Sequence, residues 1–179
     1  MDDREILALY RDGRCEEAFT QIVNTYSERL YWHVRTVVGT HADADDLMQD
    51  IFVKIWNTLP SFRGESRLFT WIWRIATNEA LNHVRHEALR RMPSIDALEA
   101  PEDAFPAAEG VDGELAATLL AAAVDSLPPR QRAVFSMRYF DDMSYEDMAR
   151  VLHLTVGALK ASYHIAEGKV RAYVRKHGG

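Results

Sequence analysis

The stretch Met143–Ala166, MSYEDMARVLHLTVGALKASYHIA, carries two helix-start signals only eleven residues apart. Ser144 and Thr155 each have a hydroxyl able to accept a hydrogen bond from a free amide of a first helical turn. Asp147, three residues after Ser144, makes a variant of the capping box. Met143 with Met148, and Leu154 with Leu159, have the spacing of hydrophobic staples around the two caps. Two short helices that begin one after the other, joined by a tight turn at His153, are therefore expected here. Met148, Val151, Leu152 and Leu159 fall where they would supply their shared core.

Working outward, helical periodicity dominates the whole chain and no alternating strand pattern stands out. Ala18, Ile22, Val23, Tyr26, Leu30 and Val34 predict a first long amphipathic helix. After Gly39-Thr40-His41 a second helix is expected from about 42 to 57, and after the loop Pro60–Gly64 a third from about 66 to 90. The stretch MPSIDALEAPEDAFPAAEGVDG has three prolines, two glycines and no sustained period, so it reads as a linker. Helix resumes near Glu114, stops at Leu127-Pro128, and restarts with Pro129 at a favoured first-turn position, to run to about Phe140. The fold class expected is all-α: two small helical domains, 1–91 and 114–179, joined by an acidic linker over 92–113.

Composition bounds the rest. Of 179 residues 47% are apolar, enough for packed cores. The opening MDDREILALYRDG is charged from its second residue, unlike a secretory signal. The longest nearly apolar stretch, Leu115–Val124, is far short of the ~20 residues of a membrane span. A single cysteine, Cys15, excludes an internal disulfide and a multi-cysteine zinc site. A soluble cytoplasmic protein is the expectation. The formal charge of −6 hides a segregation: Met92–Pro129 holds eight acids and no Lys or Arg, which leaves 21 bases against 19 acids elsewhere, a net of +2.

A short helix, a tight turn and a second capped helix make a helix-turn-helix, whose second helix can enter a DNA major groove. From the Thr155 cap the outward residues would be Thr155, Val156, Gly157, Ala158, Lys160, Ala161 and His164. Gly157 and the alanines allow close approach, and Lys160 offers a phosphate or guanine contact. The third helix has a second stripe, Arg67, Trp71, Arg74, Asn78, Asn82 and Arg85, that mixes guanidinium, amide and aromatic groups suited to an opened strand. Ahead of it the loop Phe62-Arg63-Gly64-Glu65-Ser66 has the composition to hold one unstacked base. On the second helix Asp46, Gln49, Asp50, Val53 and Asn57 share a face opposite Leu47, Ile51 and Ile55; that acidic face suits a basic protein partner rather than DNA. Asp43, Asp45 and Asp46 also suit a helix first turn.

The blocks DADDLMQDIFVKIW, LPSFRGESRLFTWIWRIATNEALNHVR and LPPRQRAVFSMRYFDDMSYEDMARVLHLTVGALKASYHIA, in that order, resemble the extracytoplasmic-function group of bacterial sigma factors. The resemblance implies that the first domain corresponds to sigma region 2 and the second to region 4. It implies that Asp43, Asp46, Gln49, Asp50, Phe52, Val53 and Trp56 meet the coiled coil of the polymerase beta-prime subunit. Phe62, Arg63, Gly64, Ser66 and the Arg67–Arg85 stripe would open and read the −10 element, and the Thr155 helix would read the −35 element. The helix from Pro129 to Phe140 would meet the beta flap of core RNA polymerase. An anti-sigma factor, membrane-linked in some members, is a further implied partner, and the acidic linker would enter the polymerase channel. The chain departs from the family in having His153 where Gly is frequent, and in lacking the recognition-helix arginines beyond Lys160.

No catalytic constellation, cofactor motif or small-molecule site is present in the sequence. His83 and His86 lack a nearby third ligand and read as surface histidines. Two other readings stay open at this level. One is a duplex-binding regulator that works without polymerase, for which the acidic second-helix face has no use. The other is a sigma-mimicking adaptor that titrates an anti-sigma factor, for which the Arg67–Arg85 stripe has none.

Overall fold

The computed structural model describes residues 1–91 and 112–179. Eight α-helices account for most of them: α1 (Asp3–Arg11), α2 (Cys15–Val38), α3 (His41–Thr58), α4 (Leu68–Arg91), α5 (Asp112–Asp125), α6 (Pro129–Phe135), α7 (Tyr145–Leu152) and α8 (Val156–His177). Among the described residues there is no strand. Most of the linker expected over 92–113, including Asp96, Glu99, Glu102, Asp103 and Glu109, lies outside the described residues.

In the first module α2, α3 and α4 bury one face each. Ala18, Ile22, Leu30 and Val34 of α2, Ala44, Ile51 and Ile55 of α3, and Leu68, Ile72, Trp73, Ala76 and Ala80 of α4 are all sealed from solvent. Gly39 ends α2 at φ 93°, a left-handed conformation that costs glycine little, and its amide returns to the Arg35 carbonyl. Thr40 then caps α3 by accepting from the Asp43 amide at 3.2 Å. The short helix α1 is not among the helices expected from the hydrophobic pattern, although Asp2 and Glu5 form a complete capping box there. Its Asp3 ties two helices together: the Tyr26 hydroxyl donates to it, and its other oxygen accepts from the Phe69 amide at 3.3 Å, one of the free donors that open α4.

The second module follows the expected caps closely. The Ser144 hydroxyl accepts from the Asp147 amide and the Thr155 hydroxyl from the Ala158 amide, both at 3.1 Å. His153 ends α7 in the left-handed region, φ 54° and ψ 42°, so histidine takes the place usually given to glycine. Met143 and Met148 are both fully buried, as a staple requires; of the second pair Leu159 is fully buried and Leu154 stays 37% exposed. Asp147 is turned away from the reciprocal half of a capping box and toward Arg67 and Arg150, at 3.3 and 4.0 Å. The helix expected to run to Phe140 is α-helical only to Phe135. Ser136–Phe140 is one π turn, closed by Asp141 N–H donating to the Ser136 carbonyl at 3.1 Å. A π turn carries one residue more per turn, which re-aims the chain beyond it.

The two modules share a core. A single cluster of buried residues runs from Ile6 of α1 through α2, α3 and α4 to Ala133, Val134, Met137, Met143, Met148, Val151 and Leu159. A smaller cluster, Ala123, Val124, Leu127, Phe135, Ala166 and Val170, joins α5, α6 and α8. Between the modules polar groups are also matched. His33 of α2 lies fully buried, with Nδ1 3.1 Å from Ser136 Oγ and Nε2 2.8 Å from Thr77 Oγ1. Asp141 accepts from Trp73 Nε1 at 2.9 Å and faces Arg29 at 3.7 Å. Arg132 of α6 donates to the Val37 carbonyl near the end of α2 at 2.6 Å.

Burial governs the charges at this junction. Desolvation pulls the His33 imidazole down to about 4, so at neutral pH it is uncharged and its 3.7 Å approach to Asp141 is no ion pair. Desolvation pushes the Asp141 carboxyl up to about 6, against the opposing pull of Trp73 and Arg29. These two groups act in opposite senses on stability. The His33 contribution is present above its ordinary value and lost as pH falls through about 4; the Asp141 contribution is present at low pH and lost as pH rises through about 6. Between roughly pH 6.5 and 4 they therefore offset each other. Urea unfolding of Asp141→Asn should show a midpoint that falls more steeply from about pH 7 to about pH 5 than that of the unaltered chain. Identical pH profiles for the two would refute this pairing.

Candidate polymerase and nucleic-acid interfaces

Three surfaces stand out, each on a separate helix. On α3 the solvent face carries Asp46, Gln49, Asp50, Val53, Trp56 and Asn57, while Leu47, Ile51 and Ile55 point inward. Val53 is 60% and Trp56 42% exposed, and the core does not claim them. Phe19 of α2 meets Phe52 and Trp56 edge-on, with ring centroids at 6.3 and 5.2 Å, and so fixes a half-exposed aromatic ridge beside the acids. On the same helix the exposed Lys54 pairs with Glu79 and ties α3 to α4. Asp43 is less free than its neighbours. It is half-buried and faces His83 of α4 at 3.4 Å. An apolar ridge edged by carboxylates is chemically suited to a basic, partly apolar protein surface.

The second surface is α4 with the loop before it. Arg67, Arg74, Asn82 and Arg85 are exposed, or nearly so, and Trp71 and Asn78 half-buried, so the stripe lies on one side as the spacing predicts. Asn82 accepts from Arg85 at 2.6 Å, which presets the guanidinium along the helix. The loop residue Gly64 has φ 76°, so this turn needs glycine or a tolerant substitute. Phe62 leans on Trp71 with ring centroids 5.2 Å apart. The loop and helix together enclose a polar cleft of about 530 Å³, lined by Phe62, Arg63, Ser66, Thr70, Trp71 and Arg74. Arg150 of α7 also lines this cleft, a contribution from the other module that local sequence gives no sign of. Of the two tryptophans on α4, Trp73 belongs to the core and Trp71 faces the cleft.

The third surface is the first turns of α8. Thr155, Gly157, Ala158, Lys160, Ala161 and His164 are exposed and Val156 is half-buried. A methyl group placed on Gly157 would meet nothing of the chain itself within 4 Å, so the space there is open to an approaching surface. Lys160 is the one Lys or Arg on this face, and it sits 5.7 Å from the Tyr145 ring. On the end of the π turn, Tyr139 and Phe140 expose about half their surface. Among the described residues no group of three or more His, Cys, Asp or Glu is placed to hold a metal, and no helix is long and apolar enough to cross a membrane.

Known proteins resemble this chain over most of its length. Residues 22–90 match Sigma-70 region 2, and residues 117–175 match Sigma-70 region 4. The chain is 30% identical over 176 residues to the ECF RNA polymerase sigma-E factor of Escherichia coli (strain K12), a match that covers 90% of this chain and 91% of that one. It is also 30% identical over 162 residues to the RNA polymerase sigma-H factor of Pseudomonas aeruginosa, covering 82% and 80% of the two chains. In structure it is similar to CnrH solved with the cytosolic domain of CnrY, with a TM-score of 0.71, 25% identity and 98% of each chain covered. The fold is likewise that of the sigma factor RpoE solved with the anti-sigma factor NepR from Bartonella quintana, TM-score 0.74 at 23% identity over 88% of this chain and 96% of that one. The chain thus belongs to the extracytoplasmic-function sigma factors, non-enzymatic subunits that direct RNA polymerase to initiate transcription at specific promoters.

Proposed function

We propose that this sigma factor divides its work among the three surfaces as their chemistry suggests. The first domain, 1–91, docks the basic beta-prime coiled coil on Asp43, Asp46, Gln49, Asp50, Phe52, Val53 and Trp56. It reads and melts the −10 element with Phe62, Arg63, Gly64, Ser66, Arg67, Trp71, Arg74, Asn78, Asn82 and Arg85. The domain 114–179 reads the −35 element with Thr155, Val156, Gly157, Ala158, Lys160, Ala161 and His164, while Tyr139 and Phe140 meet the beta flap. The acidic linker between them enters the polymerase channel.

The observation that carries this reading is the cleft of Phe62, Ser66, Trp71 and Arg74, open beside a stripe of guanidinium and amide groups. Strand opening without a catalytic group has to be driven by binding. A flipped base stacked against an aromatic ring gains roughly 1–3 kcal/mol, which offsets the few kcal/mol of unpairing. The intact protein is expected to work in the cytoplasm, where promoters and polymerase are. By likeness to CnrH, whose solved partner is CnrY, an anti-sigma factor is proposed as a further partner, membrane-linked in the manner of some family members. The half-exposed rings Trp32 and Phe140 edge an apolar groove that offers such a partner a seat.

Two experiments test these assignments. With core polymerase and a promoter carrying 2-aminopurine in the non-template −10 strand, Phe62→Ala should lower open-complex fluorescence about tenfold at limiting protein, the scale of one lost stacking contact. An unchanged signal would remove the loop from the melting step. On a −35 duplex, Lys160→Ala should weaken binding and make the dependence of log affinity on log salt shallower by about one counterion. A slope equal to that of the unaltered chain would mean that Lys160 touches no phosphate.

A further inference from the structure

The exposed side of α8 changes character along its length. Beyond Gly168 its outward residues are mostly charged, with Lys169, Arg171, Arg175 and Lys176 in solvent. Over the first three turns Lys160 is the only Lys or Arg, and Ala158, Ala161 and Ile165 form an exposed strip at helical spacing. Ile165 is 52% exposed and belongs to neither buried cluster, because Leu159, Ala166 and Val170 already fill the inner side of the helix. A single apolar residue in solvent is ordinary; a bulky one that stands clear of small neighbours on a DNA-facing helix is not. Nothing of the chain lies within 4 Å of where a Cβ would stand on Gly157 or Gly168. The only acid of α8, Glu167, is half-buried and paired with Arg171, so no carboxylate shares the strip.

We infer that Ile165 is a specificity-determining residue of the −35 contact: its side chain packs on the C5-methyl group of a thymine in the major groove and selects an A·T pair at that step. The inference rests on the −35 assignment of α8 above. At 1.5 Å per residue Ile165 lies about 15 Å along the helix from the Thr155 cap and about 6 Å beyond Ala161. Base pairs follow one another at about 3.4 Å, so Ile165 meets a different pair from the one under Ala161. Each base pair shows the major groove its own pattern of donors and acceptors, and the thymine methyl is the one apolar group among them. Isoleucine has no side-chain donor or acceptor. Against the edge of guanine, adenine or cytosine it would strip water from a polar atom without replacing the hydrogen bond. Against a thymine methyl, both partners leave water with a gain. Lys160 stands five residues earlier, roughly 140° round the helix, where its proposed phosphate contact sets register and leaves the reading to Ile165.

The test uses RNA polymerase reconstituted from the full chain and core enzyme, on a promoter whose −35 element has been selected from random sequence. Each −35 thymine of either strand is replaced in turn by deoxyuridine, which lacks only the methyl group. One replacement should weaken promoter binding about fourfold, the effect of one buried methyl-sized group. Ile165→Ala should bind the thymine promoter less tightly, and in that variant the same replacement should change nothing. Ile165→Lys should also lose the methyl dependence, while its binding becomes more salt-dependent by about one counterion. Because Ile165 is exposed, both variants should keep native helicity. Sequence-specific −35 binding that ignores every thymine methyl, or a methyl effect equally large in Ile165→Ala, would overturn the contact and leave the −35 assignment standing. Binding that survives a scrambled −35 element at full strength would overturn both.

Discussion

The structure depends on α4 having to satisfy two environments at once. Its inner side must fill the core with Leu68, Ile72, Trp73, Ala76 and Ala80, all sealed from water. Its outer side must keep Arg74 and Arg85 in solvent, with Asn82 beside them, and aim Trp71 at the loop. Because side chains on a helix repeat about every 3.6 residues, those two demands can be met without conflict only if neither stripe drifts. The loop before α4 inherits its position from this helix, since Phe62 rests on Trp71. The second module inherits its seat too, since Trp73 donates to Asp141, and Thr77 holds the His33 ring that meets Ser136.

Much of this was legible from residues alone, and the reasons are local. Ser144 and Thr155 announce their helices because a cap is a contact within four residues, and both hydroxyls accept the expected amides. The stripes on α3 and α4 are legible because helical periodicity alone fixes which residues share a side. The same local logic reaches α1 through Asp2 and Glu5, but that helix is nine residues long and seals only Ile6, too little apolar repeat to stand out. What escaped was set by contacts far apart in sequence. Nothing near His33 signals that it will meet Ser136, 103 residues on, and nothing near Arg150 signals the Phe62 cleft. The π turn after Phe135 escaped as well, because a register shift of one residue has no signature in the hydrophobic pattern of SMRYF.

Charge follows the same division of labour. The bases are spread over both modules, with Arg74, Arg85, Arg90 and Arg91 on α4 and Lys160, Lys169, Arg171, Arg175 and Lys176 on α8; Asp45, Asp46 and Asp50 are exposed on α3, and the chain's net −6 is carried by the segment around the linker. A long-range field attracting DNA to the whole molecule is therefore weak, and specificity falls to short contacts made after polymerase has brought the promoter near. The recognition helix takes this furthest. On the proposed −35 assignment, with Lys160 as the single cation of the first turns of α8 and with Gly157, Ala158 and Ala161 beside it, the contact would come from close fit and apolar approach more than from phosphate neutralisation.

The most direct measurement is permanganate footprinting of the purified chain with core polymerase on a promoter selected from random sequence. Reactive non-template thymines are expected only in the −10 region and only when both proteins are present, with protection of a second site about two and a half helical turns upstream. A promoter bound tightly with no reactive thymine, or equal binding without polymerase, would contradict the division of work among the three surfaces.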